Sequence, residues 1–466
     1  MASWSRREFL GLGMLAACAG SSSCIPASDP ERPTGARRSE EICQAYAVNT
    51  KTFYASRVYG HSDAVIDLLD ELGVRIVRER ATVGSSTGAR NQQYAMPRLA
   101  ERGIRWHPTV GELDHWSRAE SITRDVLQMF TDYYLPTLDG DLSALVHSFG
   151  GCNEVDGAVV DGRTDPEWAQ HARLMQSELW RQAKADSRTA AIPVVGPSTR
   201  TDVTRDRAEA LGDLSAVSDW GNAHLYSAGS SPTRGIDHHL EILKRCFPVA
   251  TTWFITETGY SNSPQDNAGR TVSEEAAATY AIRGICDFFV RGCIYGRFEL
   301  LDDPDPIDYA SQNSINRTAD RQAHFGLVAM TEDSVAAATP ETWRRKPEFY
   351  ATKRFLRLMS DPGPRWTPEP LDLRVTDGGS DLQQTLVQKR DGRHYLLLWR
   401  DVEAATTYPD ARTIDVPPDT VTVELRTHRP TALYSPRFTE VPISTQPSRG
   451  SLSLDVGSDL VVVEIG

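Results

Sequence analysis

Asp63-Ala64-Val65-Ile66-Asp67-Leu68-Leu69-Asp70-Glu71-Leu72 runs into Gly73-Val74-Arg75-Ile76-Val77-Arg78, and these sixteen residues decide the fold. Val65, Ile66, Leu68, Leu69 and Leu72 fall on one face of a helix, and Val74–Arg78 then reads as a strand. A helix feeding a short apolar strand is part of a parallel crossover unit, and the same alternation continues on both sides. Upstream, Cys43–Val48 predicts the first strand. Downstream come helix Gln92–Arg102, strand Ile104–Val110, helix Ile122–Leu138 and strand Leu145–Phe149. A helix from Pro166, placed as a first-turn proline, to Ala185 leads to strand Ile192–Gly196. Helix Arg205–Leu211, strand Trp220–His224, helix Ile236–Phe247 and strand Thr252–Thr256 follow. Ser273–Arg291 is the next helix, with Ser273 as its cap and Glu274 and Glu275 at its positive end. Strand Cys293–Leu301, a long loop over 302–342 and helix Lys346–Met359 complete the series. Eight such units, with no dinucleotide-type glycine fingerprint after the first strand, predict an α/β fold: a closed (β/α)8 TIM barrel over 41–360.

Beyond a Pro-rich linker from Ser360 to Pro370, the pattern changes to strands alone. Leu382–Gln388 and Tyr395–Trp399 flank the hairpin turn Asp391-Gly392, and Val421–Leu425, Ala432–Tyr434, Leu452–Leu454 and Leu460–Ile465 follow. This predicts a C-terminal all-β sandwich domain over 361–466.

The 466 residues include 50 basic and 63 acidic side chains, a net charge of −13. That balance, without a Lys/Arg run, speaks against nucleic-acid binding by phosphate neutralisation. A chain this long buries a full core without disulfides or a metal. The chain is expected to act as a monomer.

Residues 1–40 read as an address and a flexible tether. Ser5-Arg6-Arg7-Glu8-Phe9-Leu10 precedes an apolar run shorter than the ~20 residues a membrane span needs. This resembles a twin-arginine export signal. Leu15-Ala16-Ala17-Cys18 resembles a lipobox, so Cys18 is the expected lipidation site and the membrane is met through a lipid anchor only. The expected location is the cell envelope or the exterior. Cys24, Cys43, Cys152, Cys246, Cys286 and Cys293 show no metal spacing and are expected mostly as free buried thiols.

A barrel carries its chemistry at the carboxyl ends of its strands. The fourth strand ends Phe149-Gly150-Gly151-Cys152-Asn153-Glu154 and the seventh Phe254-Ile255-Thr256-Glu257-Thr258-Gly259. Glu154 and Glu257 can therefore face one cavity, the arrangement that suits glycoside hydrolysis with retention, one carboxyl as acid and the other as nucleophile. On the sixth strand, Asn222-Ala223-His224-Leu225-Tyr226 puts His224 and Tyr226 on one face.

These motifs resemble the clan of retaining (β/α)8-barrel glycoside hydrolases, most nearly its family 39-like members, over roughly residues 42–360. The resemblance implies Glu154 as acid/base and Glu257 as nucleophile. It implies Asn153 on the sugar 2-hydroxyl, Arg78 near the nucleophile, and Tyr226 beside His224 keeping that carboxylate ionised. Asn49 after strand 1, His107 ending strand 3 and Glu299 ending strand 8 join as substrate-binding or supporting residues. Many clan members end strand 8 in Trp, where this chain has Phe298-Glu299. No cofactor and no metal is implied.

Each position also has a plainer reading. His107, followed by Pro108, also fits simple packing, and Glu299 also fits holding arginine side chains. Asp302, Asp303 and Asp305 read as loop charge, and His238-His239 as surface. Two rival functions remain: a non-catalytic carbohydrate-binding lipoprotein, and a metal-dependent barrel hydrolase, for which His107 and His224 are the available ligands.

Overall fold

The computed structural model describes residues 35–157, 159–160, 163–264, 269–303, 323–330 and 338–466. The export signal, Cys18, Cys24, Asp305 and most of the 302–342 loop lie outside the described residues.

Eight parallel strands form the barrel: Tyr46–Asn49, Ile76–Arg80, Arg105–Thr109, Phe149–Gly150, Val194–Val195, Gly221–His224, Trp253–Thr258 and Cys293–Arg297. They pair in chain order, and the eighth pairs with the first. A parallel bridge from Val195 to Trp220 closes the ring between the fifth and sixth. Ala47, Ile76, Val195, Phe254 and Ile294 pack together as the inner layer. Side chains alternate along a strand, so residues two places on from these turn inward above that layer. Among them are Asn49, Arg78 and Thr256, all buried.

Helices Ser62–Leu72, Arg205–Leu211, Glu274–Val290 and Pro347–Met359 lie within a residue or two of their predicted bounds at most termini. The Ser273 hydroxyl accepts from the Ala276 N–H at 3.2 Å, as the cap reading required. Elsewhere the chain departs from the reading. Glu40–Gln44 is a short helix, so the first strand starts at Tyr46 and not at Cys43. Two acidic residues open that helix, and Glu41 pairs with Arg37 and Arg38 one turn back. The expected tether also ends early, because Arg37–Arg38 pair in parallel with Val387–Gln388. The helix expected from Pro166 begins at Trp168, because Asp165 Oδ1 accepts from the Glu167 N–H at 2.9 Å and holds the preceding turn. The third helix starts at Ala119 and widens into a π-helical turn over Met129–Tyr134, where Phe130 and Tyr134 pack on Trp106.

Six C-terminal strands and Arg37–Arg38 form one seven-stranded sheet that folds over itself. The long strands Asp419–Tyr434 and Ser444–Val456 make this possible, since their pairing is irregular between Glu424 and Thr431. Leu386, Leu396, Leu398 and Val463 meet Val421, Val423, Leu452 and Leu454 in the layer between. The other face, with Val387, Tyr395, Leu397, Trp399 and Val462, packs on the barrel as part of its main core. At that junction Trp399 Nε1 donates to Asp287 at 2.8 Å, and burial pushes the Asp287 carboxyl up to about 7. Cys43, Cys152, Cys246, Cys286 and Cys293 are free and buried. No described helix is long and apolar enough to cross a membrane.

Candidate active site

Glu257 reaches the mouth of the barrel through an irregularity in its strand. Pairing with the sixth strand shifts register between Ile255 and Glu257, where Glu257 comes to lie opposite His224. Phe254 and Thr256 already face inward, so strict alternation would send Glu257 outward to the helices. The bulge re-aims it. The chain then leaves through Gly259, whose φ is +141°, and an added Cβ there would lie 2.3 Å from the Arg297 guanidinium.

Both Glu257 oxygens are occupied. Oε1 accepts from Arg78, while Oε2 accepts from the Tyr226 hydroxyl at 3.0 Å and lies 3.3 Å from His224 Nδ1. Burial pushes the Glu257 carboxyl up, but His224, Arg78 and the hydrogen bonds from Arg78 and Tyr226 outweigh it and hold it below the ordinary carboxylate range. Tyr226 is pushed well above its ordinary value by burial and by the charges of Glu257 and Glu154, so it remains a hydroxyl donor.

Glu154 sits across from it. Its φ of +42° is left-handed, a strained conformation for a residue with a Cβ. Ser198 supports that backbone: its hydroxyl accepts from the Glu154 N–H at 2.9 Å, and its carbonyl accepts from the Val155 N–H at 3.0 Å. Gly150 permits the close approach of the fourth strand, since an added Cβ would lie 2.5 Å from His107 Nε2. His224 Nδ1 lies 2.9 Å from Glu154 Oε1, bridging the two glutamates. One carboxylate oxygen of each glutamate and that nitrogen all fall within 4.8 Å of one another.

Arg78 links three of the expected residues. One guanidinium nitrogen donates to Glu257 and, at 2.8 Å, to Asn49 Oδ1, and the other donates to Asn153 Oδ1. Asn153 is itself exposed, with its Oδ1 taken by Arg78. Of the two roles open to it, Asn49 has the contacts of a support: it is buried, and its amide donates to the carbonyls of Thr256 at 2.9 Å and Arg297 at 3.2 Å.

His107 has the surroundings of its plainer reading, an interior residue. Its ring is 1% exposed, packs 4.6 Å from Phe254, and contacts Ser148 Oγ at 2.8 Å. Burial lowers its pKa well below the ordinary range, so it is held neutral. Glu299 is buried as well and binds Lys51 and Tyr59, not an arginine, among the described residues. Asp302 and Asp303 are buried ion-pair partners of Lys346 and Arg57, not solvated loop charge.

Ser198 and Lys51 escaped the sequence reading. Ser198 follows strand five at its carboxyl end, a position that barrels use for function, and that placement was the available signal.

No protein-family profile and no curated protein matches the chain. Among solved structures it is similar to a glucosidase from Croceicoccus marinus, with a TM-score of 0.56 at 12% identity. It is similar to a monomeric β-xylosidase from Caulobacter crescentus CB15, with 0.54 at 14%. The catalytic domain of GH30 xylanase C from Talaromyces cellulolyticus gives 0.52 at 11%. Each alignment covers 93% of this chain and 97% of the other. At these identities the likeness establishes the fold, a barrel with an attached β unit.

Proposed function

We propose that the chain is a retaining glycoside hydrolase acting on a poly- or oligosaccharide or a glycoconjugate. One observation carries the reading: Glu154 and Glu257 offer carboxylate oxygens within 4.8 Å of each other across His224. Retaining enzymes hold their carboxyl pair about 5–5.5 Å apart, and inverting ones need about 6.5–9.5 Å to admit a water. The names of the three solved structures, all carbohydrate-active, point the same way.

In the proposed reaction a Glu257 oxygen bonds to the anomeric carbon as the bond to the leaving oxygen breaks. Glu154 gives its proton to that oxygen. Water then attacks the anomeric carbon, Glu154 takes a proton from the water, and the bond to Glu257 breaks. Asn153 is positioned to donate to the 2-hydroxyl, and Arg78 and Tyr226 keep Glu257 charged between turnovers.

The Glu154–His224–Glu257 trio also has the composition of a metal site. The Arg78 guanidinium on Glu257 argues against that, since a second cation there would meet a fixed positive charge. The test is a screen of nitrophenyl glycosides and purified polysaccharides, with the product followed by NMR at early times. Retained configuration, unaffected by chelator, is expected. Inverted product removes the mechanism, and binding without turnover restores the carbohydrate-binding alternative.

We propose further that the chain is exported and held at the membrane by an acyl group on Cys18, as the twin-arginine and lipobox motifs suggest. Cys18→Ala should move the protein from the membrane to the soluble fraction, and continued attachment would remove the proposal.

A further inference from the structure

Four charged side chains gather where the first and eighth barrel strands end. Lys51 Nζ lies 2.9 Å from each Glu299 carboxylate oxygen and 3.7 Å from Asp303. Arg57 lies 3.0 Å from Asp303 on its other side. Tyr59 donates to Glu299 at 3.1 Å and accepts from the Leu301 N–H at 3.1 Å, which fixes the carboxylate to the barrel wall. The side chains of Glu299, Asp303 and Arg57 are 1%, 2% and 7% exposed, but that of Lys51 is 21% exposed. Lys51 is therefore the member of this network that reaches solvent.

Its direction is given by the aromatic rings beside it. Lys51 Nζ lies 5.0 Å from the Phe298 ring centre, and Phe298 meets Tyr226 at 6.5 Å and Phe325 at 5.7 Å. Tyr226 holds Glu257. Lys51 thus stands on the nucleophile's side of the mouth, where the sugar that transfers to Glu257 must sit.

We propose that Lys51 is a substrate-binding residue, donating to a hydroxyl of an uncharged sugar seated against Phe298. The inference rests on the glycoside hydrolase reading and deepens it by naming the substrate class. Glu299 and Asp303 offset the charges of Lys51 and Arg57, so the network is neutral as a whole while Lys51 keeps an N–H to donate. Such a donor suits a hydroxyl oxygen. A uronic acid carboxylate in the same place would find the Lys51 charge already offset by Glu299 and Asp303, so its own loss of water would go uncompensated. The buried carboxylates also hold the long side chain in one place before substrate arrives, which favours selectivity.

The test compares the full chain with Lys51→Met on nitrophenyl glucoside, galactoside, mannoside, xyloside and glucuronide. It then uses deoxy analogues of the best substrate. Wild type should favour a neutral glycoside over the glucuronide. Lys51→Met should lower kcat/KM on that glycoside roughly ten- to hundredfold, the loss expected for one hydrogen bond from a charged donor. On the one analogue lacking the bonded hydroxyl, the substitution should have almost no effect. Equal losses on every analogue, no loss on the parent, or preference for the glucuronide would overturn the proposal. Lys51→Met/Glu299→Gln removes both charges together and serves if the single variant fails to fold. If wild type cleaves none of the glycosides, calorimetric titration with the corresponding free monosaccharides separates the two readings. Binding weakened by Lys51→Met keeps the Lys51 role without the hydrolase, and unchanged or absent binding removes it.

Discussion

Glu257→Gln is expected to lower kcat by ~10⁴-fold or more on every substrate, whatever its leaving group. The substitution keeps the size of the side chain and removes the oxygen that bonds to the anomeric carbon. Arg78, Tyr226 and His224 converge on this one carboxylate, and no other described acidic side chain is held by all three. The pH dependence follows from the same contacts. Glu257 lies below the ordinary carboxylate range, so the acid limb of kcat/KM should lie low and the nucleophile should stay ionised through neutral pH. Tyr226→Phe removes a hydrogen bond to the charged form, raises the Glu257 pKa, and should move that limb to higher pH. A 2-fluoro sugar of the right configuration should leave its label on the peptide holding Thr256-Glu257-Thr258. A label on another carboxylate, or more than about a hundredth of wild-type activity in Glu257→Gln, would falsify the nucleophile assignment.

The barrel was legible because its two periods are written on different scales. Helix Ser62–Leu72 buries Val65, Ile66, Leu68, Leu69 and Leu72, the stripe its spacing foretold. Where the reading slipped, side chains overrode the apolar run. Ile42 and Cys43 are apolar enough for a strand, but Glu41 locks onto Arg37 and Arg38 at helical spacing. The folding of the C-terminal sheet over itself depends on pairing irregularities in two long strands, which an alternation pattern does not report.

At the site, order along the chain located the residues, but depth within the barrel decided what each one touches. Asn49, Arg78 and His107 all turn inward at strand ends, and the sequence treats them alike. Only Arg78 extends far enough to meet a catalytic carboxylate. Asn49 is too short and braces it, while His107 is covered by Phe254 and the fourth strand. The bulge that aims Glu257 leaves no residue signature, as Thr256 and Glu257 both fit a regular strand. Lys51 looks like any charged residue in a loop until Glu299 and Asp303 are placed behind it.

Glu154→Ala is expected to separate substrates by their leaving groups. A sugar or alcohol leaves poorly as an anion and needs the proton from Glu154, so its hydrolysis should slow by ~10²–10⁴-fold. A dinitrophenolate needs little protonation, so its departure should be nearly normal, and the glycosyl-enzyme on Glu257 should accumulate because water has lost its base. Azide is already an anion and needs no base, so adding it should restore turnover and yield a glycosyl azide with the substrate's own configuration. The structure makes room for it: the Glu154 side chain is 38% exposed, beside a nucleophile that is 12% exposed. Equal losses on activated and unactivated substrates, with no response to azide, would assign the proton transfer to another group.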